Sequence, residues 1–272
     1  MINFLKRAII CVEKRSSEQF ASPAQKLELI YNLFMKVAIV TGSAKGLGAD
    51  IARALAKDGY TLVIHYLHSA SDAKKILLEI QEVSQKSIMI KADVASEADV
   101  SKMVDEIKTK LGRVDLLVNN VGNFLYKKFG ETTNAEFRGM IESNIYSTLY
   151  VSRAVLPLMR KQKSGLIVNI GVVGCERLVI RENSTPYFLG KTGVYVLTKV
   201  MAADEAGLGI RINMISPASM KADIFGEKDF PSGRPATHVD VTRVLMFLIS
   251  PENSYINGAN IEVAGGFVPG LK

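Results

Sequence analysis

The chain has 272 residues, enough for one large α/β domain, and no Pro-, Gly- or Ser-rich linker divides it. With 48% hydrophobic residues it can bury a sizeable core, yet no apolar run approaches the roughly 20 residues needed to span a bilayer, so no membrane partner is expected. The net charge of +7 comes from basic residues interleaved with acids, which argues against nucleic acid, and the two distant cysteines, Cys11 and Cys175, make neither a disulfide framework nor a metal-ligand set. A cytoplasmic protein without a metal is the expectation.

Residues 1–34 stand outside the alternation of elements that begins at Met35. Ile2, Phe4, Leu5, Ile9 and Ile10 with Lys6, Arg7, Lys14 and Arg15 suit a basic amphipathic helix, too short and interrupted for a signal peptide. Three readings stay open: an extension upstream of a natural start at Met35, an ordinary helix packed on the domain, or a membrane-surface helix. The domain itself is expected over 35–272.

The stretch Met35–Gly48 passes from strand to tight turn to helix. Val37, Ala38, Ile39 and Val40 form a run suited to a strand buried on both faces, and Thr41-Gly42 ends it. Gly42, Gly46 and Gly48 let the backbone turn sharply and approach a ligand, with Ser43 and Lys45 in the same loop. A helix starting near Leu47 points unpaired N–H groups there, which suits a pyrophosphate. The spacing Gly-x-x-x-Gly-x-Gly makes a longer loop than the Gly-x-Gly-x-x-Gly of the usual dinucleotide fingerprint.

Further strands are predicted at Thr61–Tyr66, Ser87–Ile90, Asp115–Asn119, Gly165–Ile170, Ile210–Ile215 and Asn260–Val263. Helices at about 47–58, 71–84, 97–111, 134–161, 187–207 and 238–249 separate most of them. Ser184, Thr185 and Pro186 mark the start of the fifth helix, and Thr237 with Asp240 that of the sixth. This alternation predicts a doubly wound parallel sheet, the NAD(P)-binding Rossmann fold, in a single domain.

The second strand runs into His65-Tyr66-Leu67-His68-Ser69, where no Asp or Glu appears. An acid there would accept from the ribose hydroxyls of NAD and repel the 2′-phosphate of NADP, so with Lys45, His68 and Ser69 nearby the expected cofactor is NADP(H) rather than NAD(H). Tyr187 and Lys191, four apart near a helix start, lie on one face. An ammonium beside a phenol favours the phenolate, which fits Tyr187 for the proton half of carbonyl reduction, the nicotinamide supplying hydride.

The glycine loop and this Tyr-x-x-x-Lys pair, in this order, resemble the short-chain dehydrogenase/reductase family, and the resemblance covers Met35 to the C-terminus. Thr41-Gly42-Ser43-Ala44-Lys45-Gly46-Leu47-Gly48 matches its cofactor loop, Asp93-Val94 its adenine contact, and Asn119-Asn120-Val121-Gly122 its Asn-Asn-Ala-Gly element. Ile212-Asn213 and Ser216-Pro217 match the run after the sixth strand. The resemblance implies that Tyr187, Lys191 and Asn144 are catalytic, with Asn144 completing a proton relay to the lysine through water. It also implies that Gly42, Ser43, Lys45, Gly46, Leu47, Gly48, His68, Ser69, Asp93, Val94, Asn120, Gly122, Tyr187, Lys191, Pro217 and Ala218 hold the cofactor.

Departures stand beside the matches. The family's substrate-holding serine is replaced by glycine in either alignment, Gly171 by local motif or Gly174 by counting 13 back from Tyr187, and Cys175 is the nearest side chain with a proton. Pro-Gly becomes Pro217-Ala218, and the Thr near the carboxamide becomes Ala222. Residues 219–236 would cover the substrate. The resemblance is greatest to 3-oxoacyl-[acyl-carrier-protein] reductases, with Arg160, Lys161 and Lys163 available to an acidic carrier. Pteridine reductases compete through their His-Tyr-x-x-Ser run and an aromatic at the place of Phe124. A third reading is an NADP-binding homologue that has lost turnover. The family also implies a homo-oligomer, a dimer or tetramer, with Ile145, Leu149 and Val196 at the interface.

Overall fold

The computed structural model describes residues 35–177, 183–220 and 230–267. The chain divides into two compact units, 1–36 and 37–272. The extension expected over 1–34 lies outside the described residues, as do Ala222 and most of the covering segment's first half.

The second unit holds a seven-stranded sheet in the order β3-β2-β1-β4-β5-β6-β7. Its strands are β1 Lys36–Val40, β2 Tyr60–Tyr66, β3 Ile88–Lys91, β4 Leu116–Asn119, β5 Gly165–Ile170, β6 Ile210–Pro217 and β7 Asn260–Val263. Registered pairs are parallel, with Ile39 opposite Leu117, Val118 opposite Val168 and Ile167 opposite Ile212. Val37–Val40, Leu62–Ile64 and Leu116–Val118 are fully buried, because helices cover both faces of a parallel sheet. Chain order reverses between β1 and β4, and a crevice opens outside the carboxyl ends of strands at such a point.

The helices are α1 Gly46–Lys57, α2 Ala70–Gln81, α3 Glu97–Leu111, α4 Asn134–Ile141, α5 Ser147–Gln162, α6 Thr185–Glu205 and α7 His238–Ile249. Thr237 and Asp240 form the reciprocal capping box that opens α7. At α6, Pro186 sits in the first turn as expected, but the Ser184 side chain makes no capping bond. The long helix expected over 134–161 is interrupted by a π turn, Glu142–Tyr146, where the Ser147 N–H reaches the Glu142 carbonyl. One extra residue in a turn re-aims the side chains it carries, and Asn144 is among them. Among the described residues no helix is long and apolar enough to cross a membrane.

Candidate active site

The glycine loop is built by three different demands. Gly42 (φ +64) and Gly46 (φ +55) take left-handed conformations that side chains resist. A Cβ on Gly48 would lie 2.4 Å from the Gly42 carbonyl oxygen and 2.7 Å from Asn120 Nδ2. The N-cap of α1 is Lys45, whose ammonium has no acceptor with which to cap the helix N–H groups, so they stay open to an anion.

Two polar side chains clamp this loop from outside it. Thr41 Oγ1 accepts the N–H groups of Asn120 (2.9 Å) and Val121 (3.1 Å), and Asn120 Nδ2 donates back to the Thr41 carbonyl at 3.0 Å. His65 Nδ1 accepts from the Gly42 N–H at 2.9 Å, which leaves Nε2 to donate to the Ala92 carbonyl at 3.0 Å. The His65 N–H also donates to Ser43 Oγ at 3.0 Å. Burial pushes the His65 pKa down from its usual 6.5, so the ring is held neutral. These are structural roles that sequence reasoning missed, apart from placing His65 at the strand end.

A cleft of about 440 Å³ opens over the loop, walled by Gly42, Lys45, His68, Ser69, Asp93 and Val94, and on its far side by Asn123, Glu142 and Ser143. Its volume falls within the usual range for cofactor sites. Asp93 is partly committed, its Oδ1 accepting the Ala95 N–H at 2.9 Å. Ser43, Leu47 and Gly48 are buried in the loop. Tyr187, Lys191, Pro217 and Ala218 are not among the cleft walls. Left-handed glycines, a close backbone approach and a helix N-terminus facing a cleft fit a dinucleotide phosphate.

Tyr187 and Lys191 both stand on α6. Lys191 Nζ lies 5.8 Å from the Tyr187 ring centroid and donates to the Ile170 carbonyl at 2.8 Å. Lys191 is only 4% exposed, and among the described residues no carboxylate pairs with it. Burial therefore pushes its ammonium down from the usual 10.5 to about 8, the nearby Cys175 opposing weakly. A buried cation with no counter-charge is costly, and such groups concentrate at functional sites.

The π turn brings Asn144 to the same place. Its Nδ2 donates to the carbonyls of Met140 (2.9 Å) and Asn123 (3.1 Å), while Oδ1 is buried without a hydrogen-bond partner. A Cβ on Gly122 would lie 2.4 Å from this Oδ1 and 3.0 Å from Lys191 Nζ. The glycine thus leaves the space in which the amide oxygen and the ammonium both rest against one stretch of backbone. Phe124, two residues on, packs edge-on against Tyr187 with centroids 4.9 Å apart, yet remains 52% exposed.

The glycines expected at the serine position have structural reasons of their own. At Gly171 a Cβ would sit 2.2 Å from Met214 Cε and 2.4 Å from Ser216 Oγ, directed at β6. Gly174 has φ +81, and its N–H is held by Glu262 Oε1 at 2.8 Å. Cys175 is no substitute donor: it packs with Val194 and Met214, its Sγ is 3.6 Å from Ser216 Oγ, and burial pushes its thiol pKa up.

The basic cluster at the end of α5 is smaller than the sequence suggests. Arg160 is committed to a two-point ion pair with the buried carboxylate of Glu205, leaving Lys161 and Lys163 exposed. Lys45 also has a partner, Asp72, 3.0 Å away. Of the expected interface residues, Val196 is half exposed, whereas Ile145 and Leu149 are partly buried, Ile145 lying against Gly193.

A family model described as Enoyl-(Acyl carrier protein) reductase matches residues 42–268. A putative oxidoreductase, YtkK, from Bacillus subtilis is 28% identical over 245 residues, covering 85% of this chain and 96% of its own. The 3-oxoacyl-[acyl-carrier-protein] reductase FabG of Staphylococcus epidermidis is 31% identical over 242 residues, 85% of this chain and 98% of its own. An uncharacterized oxidoreductase of Staphylococcus saprophyticus is 32% identical over 232 residues, 84% and 96% respectively.

Proposed function

The chain belongs to the short-chain dehydrogenase/reductase family, and from that premise we propose that it is an NADPH-dependent reductase of a 3-oxoacyl-type carbonyl, with residues 35–272 as the working unit. The observation that carries the reading is the buried, uncompensated Lys191 ammonium beside Tyr187, with Asn144 Oδ1 against the same backbone. The loop from Gly42 to Gly48 would hold the pyrophosphate, and Asp93 and Val94 the adenine. Lys191 would hold the nicotinamide ribose, with Pro217 and Ala218 against the carboxamide.

A carbonyl oxygen seated on the Tyr187 hydroxyl takes the phenolic proton. Lys191 favours the phenolate left behind, because an adjacent positive charge stabilises that form. The free lone pairs of Asn144 Oδ1 suit a water that returns a proton toward Lys191. Bound NADPH supplies the hydride that reduces the carbonyl carbon. With glycine at both serine candidates, the second donor to the substrate oxygen is missing; by analogy with oxyanion-hole deletions this costs about 10²–10³ in rate. The reaction is expected to be slow, with ordinary cofactor binding.

The substrate class follows the relatives named as 3-oxoacyl-[acyl-carrier-protein] reductases, and Lys161 and Lys163 suit an acidic carrier. Phe124 favours a second reading, the reduction of a pterin-like ring, since a half-exposed aromatic beside the proton donor offers a stacking face. Exposed Leu189, Val196 and Val200 on α6 supply an apolar face for a second copy of the chain.

The test is NADPH oxidation with 3-oxoacyl thioesters, free and carrier-bound, and with a reducible pterin. Tyr187→Phe should lower turnover by about 10²–10⁴ and leave the NADPH dissociation constant nearly unchanged. NADPH binding without turnover of any carbonyl would instead assign the chain to a silent cofactor binder.

A further inference from the structure

The absence of an acid after β2 is only an absence in the sequence window. Asp72 stands in the first turn of α2, three residues beyond Ser69, and its carboxylate reaches back to within 3.0 Å of Lys45 Nζ in the glycine loop. Lys45, His68 and Ser69 all wall the same cleft. A dinucleotide presents its adenosine ribose at the end of the second strand, so Asp72 holds the cation to which a 2′-phosphate would turn. Arg53, on α1, is engaged by Asp50 and Glu79 and offers no ready replacement.

We propose that Asp72 sets cofactor discrimination in this chain, as an internal competitor for Lys45. A 2′-phosphate must draw Lys45 away from Asp72 and meets the repulsion of the carboxylate it displaces. A 2′-hydroxyl leaves the ion pair intact. The exchange is cheap, because both side chains are open to solvent, 65% for Lys45 and 37% for Asp72, and exposed pairs contribute little to stability. Ser69 adds to the phosphate's side of the balance: as N-cap of α2 its side chain makes no capping bond, so its hydroxyl competes with nothing there. The inference rests on the reading of the cleft as a dinucleotide site and deepens its cofactor assignment.

The experiment is calorimetric titration of the full chain with NADPH and with NADH, without substrate, for wild type, Asp72→Asn and Lys45→Met. Asp72→Asn should tighten NADPH about three- to tenfold at low ionic strength, leave NADH within about twofold, and lose most of that gain in high salt. Lys45→Met should weaken NADPH by about tenfold and NADH by a smaller factor, since the glycine loop also faces the pyrophosphate. An unchanged NADPH-to-NADH ratio in Asp72→Asn overturns the proposal, and so does weaker NADPH binding, which would make Asp72 an orienter of Lys45. A wild type that prefers NADH sinks the NADPH reading of the function, but a gain of NADPH affinity in Asp72→Asn would still uphold the role of Asp72. If neither nucleotide binds, both fall.

Discussion

The imidazole of His65 accepts the Gly42 N–H at 2.9 Å through Nδ1 and donates from Nε2 to the Ala92 carbonyl at 3.0 Å, so one buried ring ties the glycine loop to the end of β3. The Gly42 bond requires the neutral ring, whereas the Ala92 bond would survive protonation, and burial keeps the pKa below 6.5. A histidine that refuses a proton when folded, but accepts it when unfolded, adds stability that is complete above about pH 6.5 and is lost as the pH falls below it. His65→Ala should cost about 1–3 kcal/mol, because it leaves a buried donor unpaired. It should weaken NADPH and NADH by similar factors, and its stability should fall less steeply with acid than that of wild type. Denaturant titrations across the acid range, with cofactor titrations near neutrality, check all three.

Lys191 gives a stability signature of the same sign at higher pH, and an activity signature that runs against it. Its ammonium, depressed from 10.5 to about 8 by burial, is charged below that value and neutral above it. Carbonyl reduction that needs the charge should therefore decline as the pH rises through about 8. The cost of burying the ammonium falls away across the same rise, so stability should increase between about 8 and 10.5 as the unfolded chain retains the proton that the folded chain gives up. Lys191→Met should remove both slopes. A pH profile of kcat/KM, with unfolding measured in parallel, separates the two effects.

The order of strands and helices was legible in the sequence because parallel strands buried on both faces appear as short apolar runs, and each surrounding helix carries a 3.6-residue pattern. The tight turns at Gly42 and Gly46 and the nearness of Tyr187 to Lys191 were legible because they depend on local spacing. The break in the helix at Glu142–Tyr146 was not, since Glu-Ser-Asn-Ile-Tyr continues the helical pattern and contains neither Gly nor Pro. The Lys45–Asp72 pair was also hidden: it joins a loop to a helix turn 27 residues later, and only the packing of α1 beside α2 brings them together. The crowding at Gly171 depends on a neighbouring strand and was equally invisible.

That crowding reverses a natural expectation. Restoring a serine at Gly171 would drive its Cβ toward Met214 Cε and Ser216 Oγ, and Ser216 is fixed by a 2.6 Å bond to Asn260 Oδ1. Methionine can swing aside, but the short, bonded serine cannot without breaking its bond. Gly171→Ser should lose about 1–3 kcal/mol of stability, as overpacked positions do, and gain no turnover. Thermal unfolding and single-turnover kinetics test the pair of outcomes; a faster, equally stable variant would contradict the packing argument.

Gly122 offers the sharpest probe of the convergence at the site. An added Cβ would stand 2.4 Å from Asn144 Oδ1 and 3.0 Å from Lys191 Nζ, so Gly122→Ala must push both groups away. Asn144 is held by Met140 and Asn123 through Nδ2, and Gly190 packs against its Cβ, so it cannot retreat freely; the flexible lysine yields more easily. The expected result is a fall in kcat of about 10²-fold or more, as for displacements of about 1 Å in catalytic geometry, with a shifted alkaline limb in the pH profile. Asn144→Ala in the Gly122→Ala background should relieve the crowding and recover stability, but not activity, because the amide oxygen that faces Lys191 is then gone. Recovery of full activity in the double variant would remove Asn144 from the relay and leave Tyr187 and Lys191 as its only members.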